Sequence, residues 1–172
     1  MNRIRTAVIG TGFMGRVHLE ALRRVENVDV VEIAATSADK AKAAAEGFNV
    51  LNATGDWRDV MADPSIDAVH VATPNVSHYE IAKAALQAGK HVLCEKPLAL
   101  NSMDARKIVE ACKVAGVVLG TNHHLRNAGS HRAMREAIAA GRIGAPVAAR
   151  VFHSVYLPAH LQGWRIDKPE AG

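Results

Sequence analysis

The chain is expected to form an α/β fold, a doubly wound parallel sheet with helices on both faces. Three observations carry this. Strand-like and helix-like patterns alternate from the start to about residue 120. The central strand pattern, Ala68-Val69-His70-Val71-Ala72, is almost wholly apolar, as in a parallel sheet covered on both sides. The spacing Gly10-x-Gly12-x-x-Gly15 stands at the first strand-to-helix junction.

Residues 3–9 read as the first strand. Val17, Leu19, Leu22 and Val25 then mark the apolar face of a helix that ends near Glu26-Asn27. Residues 28–35 are the second strand. Ser37 caps a helix over 38–46 that Gly47 closes. A short strand near Val50 and a helical turn over 56–61, broken by Pro64, precede the apolar strand at 68–72. A helix over 75–87 with Asn75 as its cap ends at Gly89. A strand over 91–94, a helix over 101–115 closed by Gly116, and a strand over 117–120 complete the alternation. After Thr121 the texture turns polar. Ser130 is expected to cap a helix over 131–140 that Gly141 closes, and 147–155 alternates like a half-buried strand. These patterns predict a first domain over 1–121 and, over 122–172, the start of an incomplete α+β domain, because one strand and a tail cannot bury a second core.

The 172 residues suffice for one domain with its own core, and 49% hydrophobic with 22% charged residues is an ordinary globular composition. A net charge of +4 without a Lys/Arg block, and only 4% aromatic residues, argue against a nucleic-acid surface. No apolar run approaches the roughly 20 residues of a membrane span, so no membrane partner is expected. The first residues lead into a strand without a signal-peptide pattern, and Cys94 and Cys112 follow no metal spacing. Two free thiols in a cytoplasmic protein are the expectation. Of nine histidines, His123 and His124 are adjacent and would point to opposite faces of a strand, so no metal site is expected. His18, on the first helix, reads as structural or exposed.

Ligands of open α/β sheets bind outside the carboxyl ends of the strands, so the strand ends hold the candidate chemistry. In the first loop Gly10 allows a sharp turn, Gly12 lets a pyrophosphate approach the backbone, and Gly15 lets the helix pack close to the sheet. The helix N-terminus then offers N–H groups to a dinucleotide's phosphates. At the second strand end, Ala35-Thr36-Ser37 with Lys40 lacks the carboxylate that usually holds an NAD ribose, and Glu32 falls in mid-strand. This favours NADP(H), with NAD(H) as the alternative. Thr73-Pro74-Asn75 and His78 lie at the next junction. His78, near a positive helix end, is expected to be neutral and to face the cofactor. At the fourth, Glu95 and Lys96 follow a strand, and Pro97 holds Lys96 extended. A positioned Lys96 ammonium can polarise a substrate oxygen or pass a proton; the plain alternative is a solvated Glu–Lys pair.

Three of these stretches together resemble one family, that of glucose–fructose oxidoreductase, inositol dehydrogenase and the rhizopine-catabolism proteins. They are the Gly10–Gly15 loop, Thr73-Pro74-Asn75-x-x-His78, and Ala88-Gly89-Lys90-His91-Val92-Leu93-Cys94-Glu95-Lys96-Pro97-Leu98. The resemblance covers the whole chain and implies a Rossmann-type domain and NADPH-linked reduction of a sugar ketone with Lys96 in the active site. It implies that Thr11, Phe13, Met14, Ala35, Thr36, Lys40, Thr73, Pro74, Asn75, His78, Glu95, Asn122, Trp164 and Arg165 surround the cofactor. Trp164 and Arg165 otherwise read as a docking anchor. Members of the family continue for about as many residues again, into an open sheet that brings an Asp and a His to the site and makes oligomers. The chain is therefore expected to be the N-terminal part of a longer homo-oligomeric protein with a sugar or polyol substrate. The alternatives are an NAD-linked inositol or polyol dehydrogenase, and a non-catalytic dinucleotide-binding module, which would need no proton donor at Lys96.

Overall fold

The computed structural model describes residues 3–156, 158, 159 and 162. In chain order the elements are β1 (Ile4–Ile9), α1 (Phe13–Leu22), β2 (Val28–Ala34), α2 (Ala38–Phe48), β3 (Asn52–Thr54), α3 (Trp57–Ala62), β4 (Ala68–Val71), α4 (His78–Gln87), β5 (His91–Glu95), α5 (Ser102–Ala115), β6 (Leu119–Asn122) and α6 (Gly129–Ala139). The strands form one sheet in the order β3-β2-β1-β4-β5-β6, every pair parallel. This is the doubly wound order, and it reverses direction between β1 and β4. The contacts divide the chain into two compact units that meet at Asn122/His123.

The first unit has three layers because its strands are apolar on both faces. Val8 and Ile33 pack with Leu19 and Leu22 of α1 and Ala44 and Ala45 of α2. On the other face Ala7, Ile9, Val69, Val71 and Val92 pack with Val60 of α3, Ile81, Ala85 and Leu86 of α4 and Ile108 of α5. Pairing of β1 with β2 slips between Thr6/Ala7, which oppose Val30 and Glu32, so Val31 is an extra residue. Side-chain caps start three of the helices: Ser37 accepts from Lys40 N–H, Asp56 from Arg58 N–H and Asn101 from Asp104 N–H.

Several boundaries move, each for a local reason. α1 ends at Leu22, four residues before the expected stop, and its buried face is Gly15, His18, Leu19 and Leu22. Val17 and Val25 are exposed. Gly47 lies inside α2, and the left-handed stop is Asn49 at φ 55°, a conformation asparagine tolerates. β6 begins at Leu119, two residues late. Asn75 opens a 3-10 turn, Asn75–Ser77, with Pro74 in the cap position, so it is not the cap of α4.

In the second unit α6 starts at Gly129 after Ala128, with Ser130 inside the helix and no side-chain cap. Residues 147–155 are not a strand. Val147, Val151, Phe152 and Val155 are exposed, and among the described residues no neighbouring strand supplies the hydrogen bonds that an alternating pattern alone cannot. Among the described residues no helix is long and apolar enough to cross a membrane.

Candidate active site

The site forms where β1, β4, β5 and β6 end. Gly10 has φ +103°, and a Cβ there would come within 2.5 Å of the Ala72 carbonyl oxygen at the end of β4. A Cβ on Gly15 would overlap the Gly10 carbonyl oxygen, whereas one on Gly12 would meet nothing within 4 Å. Two glycines thus close the turn against β4, and the third faces open space. α1 begins with Gly12 in the cap position, with no side-chain cap and no acidic residue in its first turn. By contrast α2, α3 and α5 each carry a side-chain cap and a first-turn Asp. The N-terminus of α1 is therefore a set of backbone donors with a positive dipole end and no internal acceptor, which suits a phosphate. The residues present fit a dinucleotide.

At the end of β2, Lys40 Nζ donates to Thr36 Oγ1 at 3.3 Å, which brings a cation and a hydroxyl together. Glu32 is turned elsewhere: burial first, then Asp63 and Asp59, push its carboxyl above the ordinary value. After β4, Ser77 Oγ lies 2.8 Å from both Thr73 Oγ1 and the Pro74 carbonyl oxygen. His78 corrects an expectation. It is 1% exposed, with Nδ1 2.7 Å from the Pro97 carbonyl oxygen and Nε2 2.9 Å from the Thr73 carbonyl oxygen. Both ring nitrogens are taken up by backbone carbonyls, so the buried ring is turned to the backbone and not to a cofactor. It ties the loop after β4 to the loop after β5.

Lys96 is exposed just beyond β5, and the Lys96–Pro97 peptide bond is cis. The preceding Glu95 is buried and belongs to a cluster that sequence reasoning missed. Its Oε1 accepts from His18 Nε2 at 3.0 Å and from Asn122 Nδ2 at 2.6 Å, and its Oε2 accepts from Lys96 N–H at 3.3 Å. His18 Nδ1 meets His70 Nδ1 at 3.0 Å. His18 is thus buried and polar-bonded, not exposed. A signal was available: His18 follows Gly15 by three residues on the face that α1 buries, and His70 interrupts the apolar β4 run. Trp164 and Arg165 lie outside the described residues. Cys94 is buried and Cys112 partly so; both are free thiols, and burial, with Glu95 next to it, pushes the Cys94 thiol up to about 12.

The cluster is expected to make the first unit acid-sensitive. Burial, and then the neighbouring His18, push His70 down from 6.5 to about 4. Burial alone would raise Glu95, but the Asn122 and His18 hydrogen bonds, the attraction of His18 and the Lys96 N–H hold it below the ordinary value. Between about pH 6.5 and 4 the unfolded chain binds the His70 proton and the folded chain does not, so stability falls with pH there; lowering Glu95 works in the same direction. The His70 share is on the order of 2–3 kcal/mol. Urea unfolding at pH 7 and pH 4.5 is expected to show the loss, with a shallower slope in His70→Asn; an identical slope in that variant would refute the assignment.

The profile of an oxidoreductase family with an NAD-binding Rossmann fold, the glucose–fructose oxidoreductase, inositol dehydrogenase and rhizopine-catabolism group, matches residues 4–123. The chain belongs to this family. Over 168 residues it is 52% identical to 1,5-anhydro-D-fructose reductase from Ensifer adhaerens, covering 98% of this chain and 50% of that protein. Levoglucosan dehydrogenase in complex with NADH and levoglucosan superposes with a TM-score of 0.78 at 34% identity, over 83% of this chain and 41% of that one. Biliverdin reductase from Synechocystis sp. PCC 6803, in complex with biliverdin and NADP+, gives 0.72 at 33% identity, over 79% and 43%. The chain spans about half the length of the curated relatives it matches. Family membership accounts for the six-stranded parallel sheet and the glycine turn, and it makes this unit an NAD(P)-binding Rossmann domain.

Proposed function

We propose that the chain binds NADP(H) across the β1/β4 crevice and serves as the nucleotide-binding, proton-donating part of an enzyme that reduces a sugar ketone. The observation that carries the reading is the bare N-terminus of α1, held by Gly10 and Gly15 against the end of β4. Thr11, Gly12, Phe13, Met14 and Gly15 would receive the pyrophosphate on backbone N–H groups. Thr36, Ser37 and Lys40, after Ala35, would hold the 2′-phosphate. Thr73, Pro74 and Asn75 would wall the crevice on the β4 side, with His78 and Glu95 holding that wall and Asn122 at the end of β6. The bound nucleotide would supply a hydride. Lys96, exposed at the same edge, would polarise the ketone oxygen and donate a proton to it.

The substrate class rests on the 52% identity to a 1,5-anhydro-D-fructose reductase. Calorimetry with NADPH and NADH, followed by NADPH oxidation in the presence of 1,5-anhydro-D-fructose, tests both halves of the proposal. Uptake of neither nucleotide by folded chain would end it. Tighter uptake of NADH with polyol-dependent reduction of NAD+ would instead support a polyol dehydrogenase. Lys40→Ala is expected to weaken NADPH about tenfold, the value of one charge-assisted phosphate contact, and to leave NADH within about twofold. Equal losses for the two nucleotides would remove Lys40 from the 2′-phosphate site.

A further inference from the structure

We propose that His18 is a positioning residue for Lys96. It acts through Glu95, and His70 fixes the His18 ring. The inference rests on the reading of Lys96 as the proton donor and names what holds it in place.

The chain of contacts is continuous. His18 sits on the buried face of α1, the helix whose first turn forms the proposed phosphate cradle. Its Nε2–H donates to Glu95 Oε1 at 3.0 Å, and its Nδ1 shares a proton with His70 Nδ1 at 3.0 Å. The two rings meet edge to face, with centroids 5.1 Å apart and planes at 88°. With both nitrogens engaged, the His18 ring cannot turn without losing a bond. Glu95 passes the constraint on: Asn122 Nδ2 closes its Oε1, and its Oε2 takes the backbone N–H of Lys96 itself. The residue after Lys96 is held from the other face of the sheet, where His78 Nδ1 lies 2.7 Å from the Pro97 carbonyl oxygen. Lys96 is thus the exposed residue between two neighbours that are each held by a buried imidazole.

Space filling alone would not select this arrangement. A buried acid–imidazole pair carries a desolvation cost that apolar side chains of the same volume avoid, so a chain that needed only packing under β5 could use leucine at both places. The arrangement does what an orienting pair does around a reactive group: it fixes one geometry by hydrogen bonds that a packed methyl group cannot supply.

The test uses the 172-residue chain with His18→Gln, His18→Leu and His70→Leu. The Gln amide nitrogen reaches the place of Nε2 and keeps the donor to Glu95; leucine fills the volume without it. The readouts are the Lys96 amide resonance, the titration of the Glu95 carboxyl by carbon NMR, and the NADPH dissociation constant. His18→Gln is expected to keep all three close to wild type, with the dissociation constant within about threefold. His18→Leu is expected to move the Lys96 amide, to raise the Glu95 midpoint by about one pH unit, and to weaken NADPH about tenfold, because a buried acceptor loses its donor. Unchanged Lys96 and Glu95 signals in His18→Leu overturn the proposal, as do equal losses in the Gln and Leu variants. If His18→Leu does not fold, His70→Leu decides: a shifted Lys96 amide supports the relay, and an unshifted one overturns it. Failure of the wild-type chain to take up either nucleotide sinks the dinucleotide reading, while the two NMR readouts still judge His18.

Discussion

Lys96→Met is expected to lower the proposed ketone reduction about 10²–10⁴-fold, the usual contribution of a positioned proton donor. The melting temperature should stay within about a degree, because exposed substitutions away from caps and buried partners cost within about 0.5 kcal/mol, and Lys96 is exposed. Its backbone N–H, which bonds Glu95, survives the change. The NADPH dissociation constant should move less than the rate, because the phosphate cradle lies in another loop. Lys96→Arg divides the role further. A guanidinium keeps the charge but gives up no proton at working pH, so it should retain part of any polarising effect and none of the proton transfer. Turnover of wild-type chain and variants, compared side by side under conditions where wild type turns over, decides the matter. Turnover by Lys96→Met equal to wild type would return Lys96 to the status of a solvated charge.

Gly10→Ala is expected to remove dinucleotide binding and to destabilise the chain by roughly 2–5 kcal/mol, the sum of backbone strain and a steric clash. The two costs are independent. Gly10 has φ +103°, where an L side chain is strained, and the new methyl group would stand 2.5 Å from the Ala72 carbonyl oxygen. The control is Gly12→Ala. Nothing lies within 4 Å of its Cβ position, so the melting temperature should hardly change while the methyl group intrudes on the approach to the backbone donors of α1. Thermal melting by circular dichroism, paired with NADPH calorimetry, separates the two glycines. A Gly12→Ala chain that melts early, or a Gly10→Ala chain that binds NADPH as wild type does, would refute this division of labour.

The alternation of strands and helices was legible because each strand is a short apolar run and each turn carries Gly, Pro, Asn or Ser. The glycine spacing gave the location of the crevice, since a turn that closes on β4 and leaves a helix end bare needs those three positions. Helix ends were less legible. Gly47 looked like a stop, but Asn49 adopts the left-handed conformation, and the pattern does not say which of two tolerant residues will do so. The His18, His70, Glu95 and Asn122 cluster was invisible because its members come from four elements and meet only once the sheet is assembled. His78 shows the same limit. Its place near a helix start suggested a ligand-facing neutral ring, yet Pro97 arrives from another loop to take its second nitrogen. The pattern at 147–155 failed for the opposite reason: alternation describes half of a strand pair, and no partner is present among the described residues.

The helices α1 and α2 cover one face of the sheet, and α3, α4 and α5 the other. The adjacent strands β1 and β4 therefore send their chains to opposite sides, and the gap above them is left by the route of the backbone. No side chain has to prop it open. Exposed side chains on its rim, unlike Gly10 and Gly15 that close the turn itself, can be exchanged without disturbing the packed layers, and one scaffold can in this way serve different chemistries.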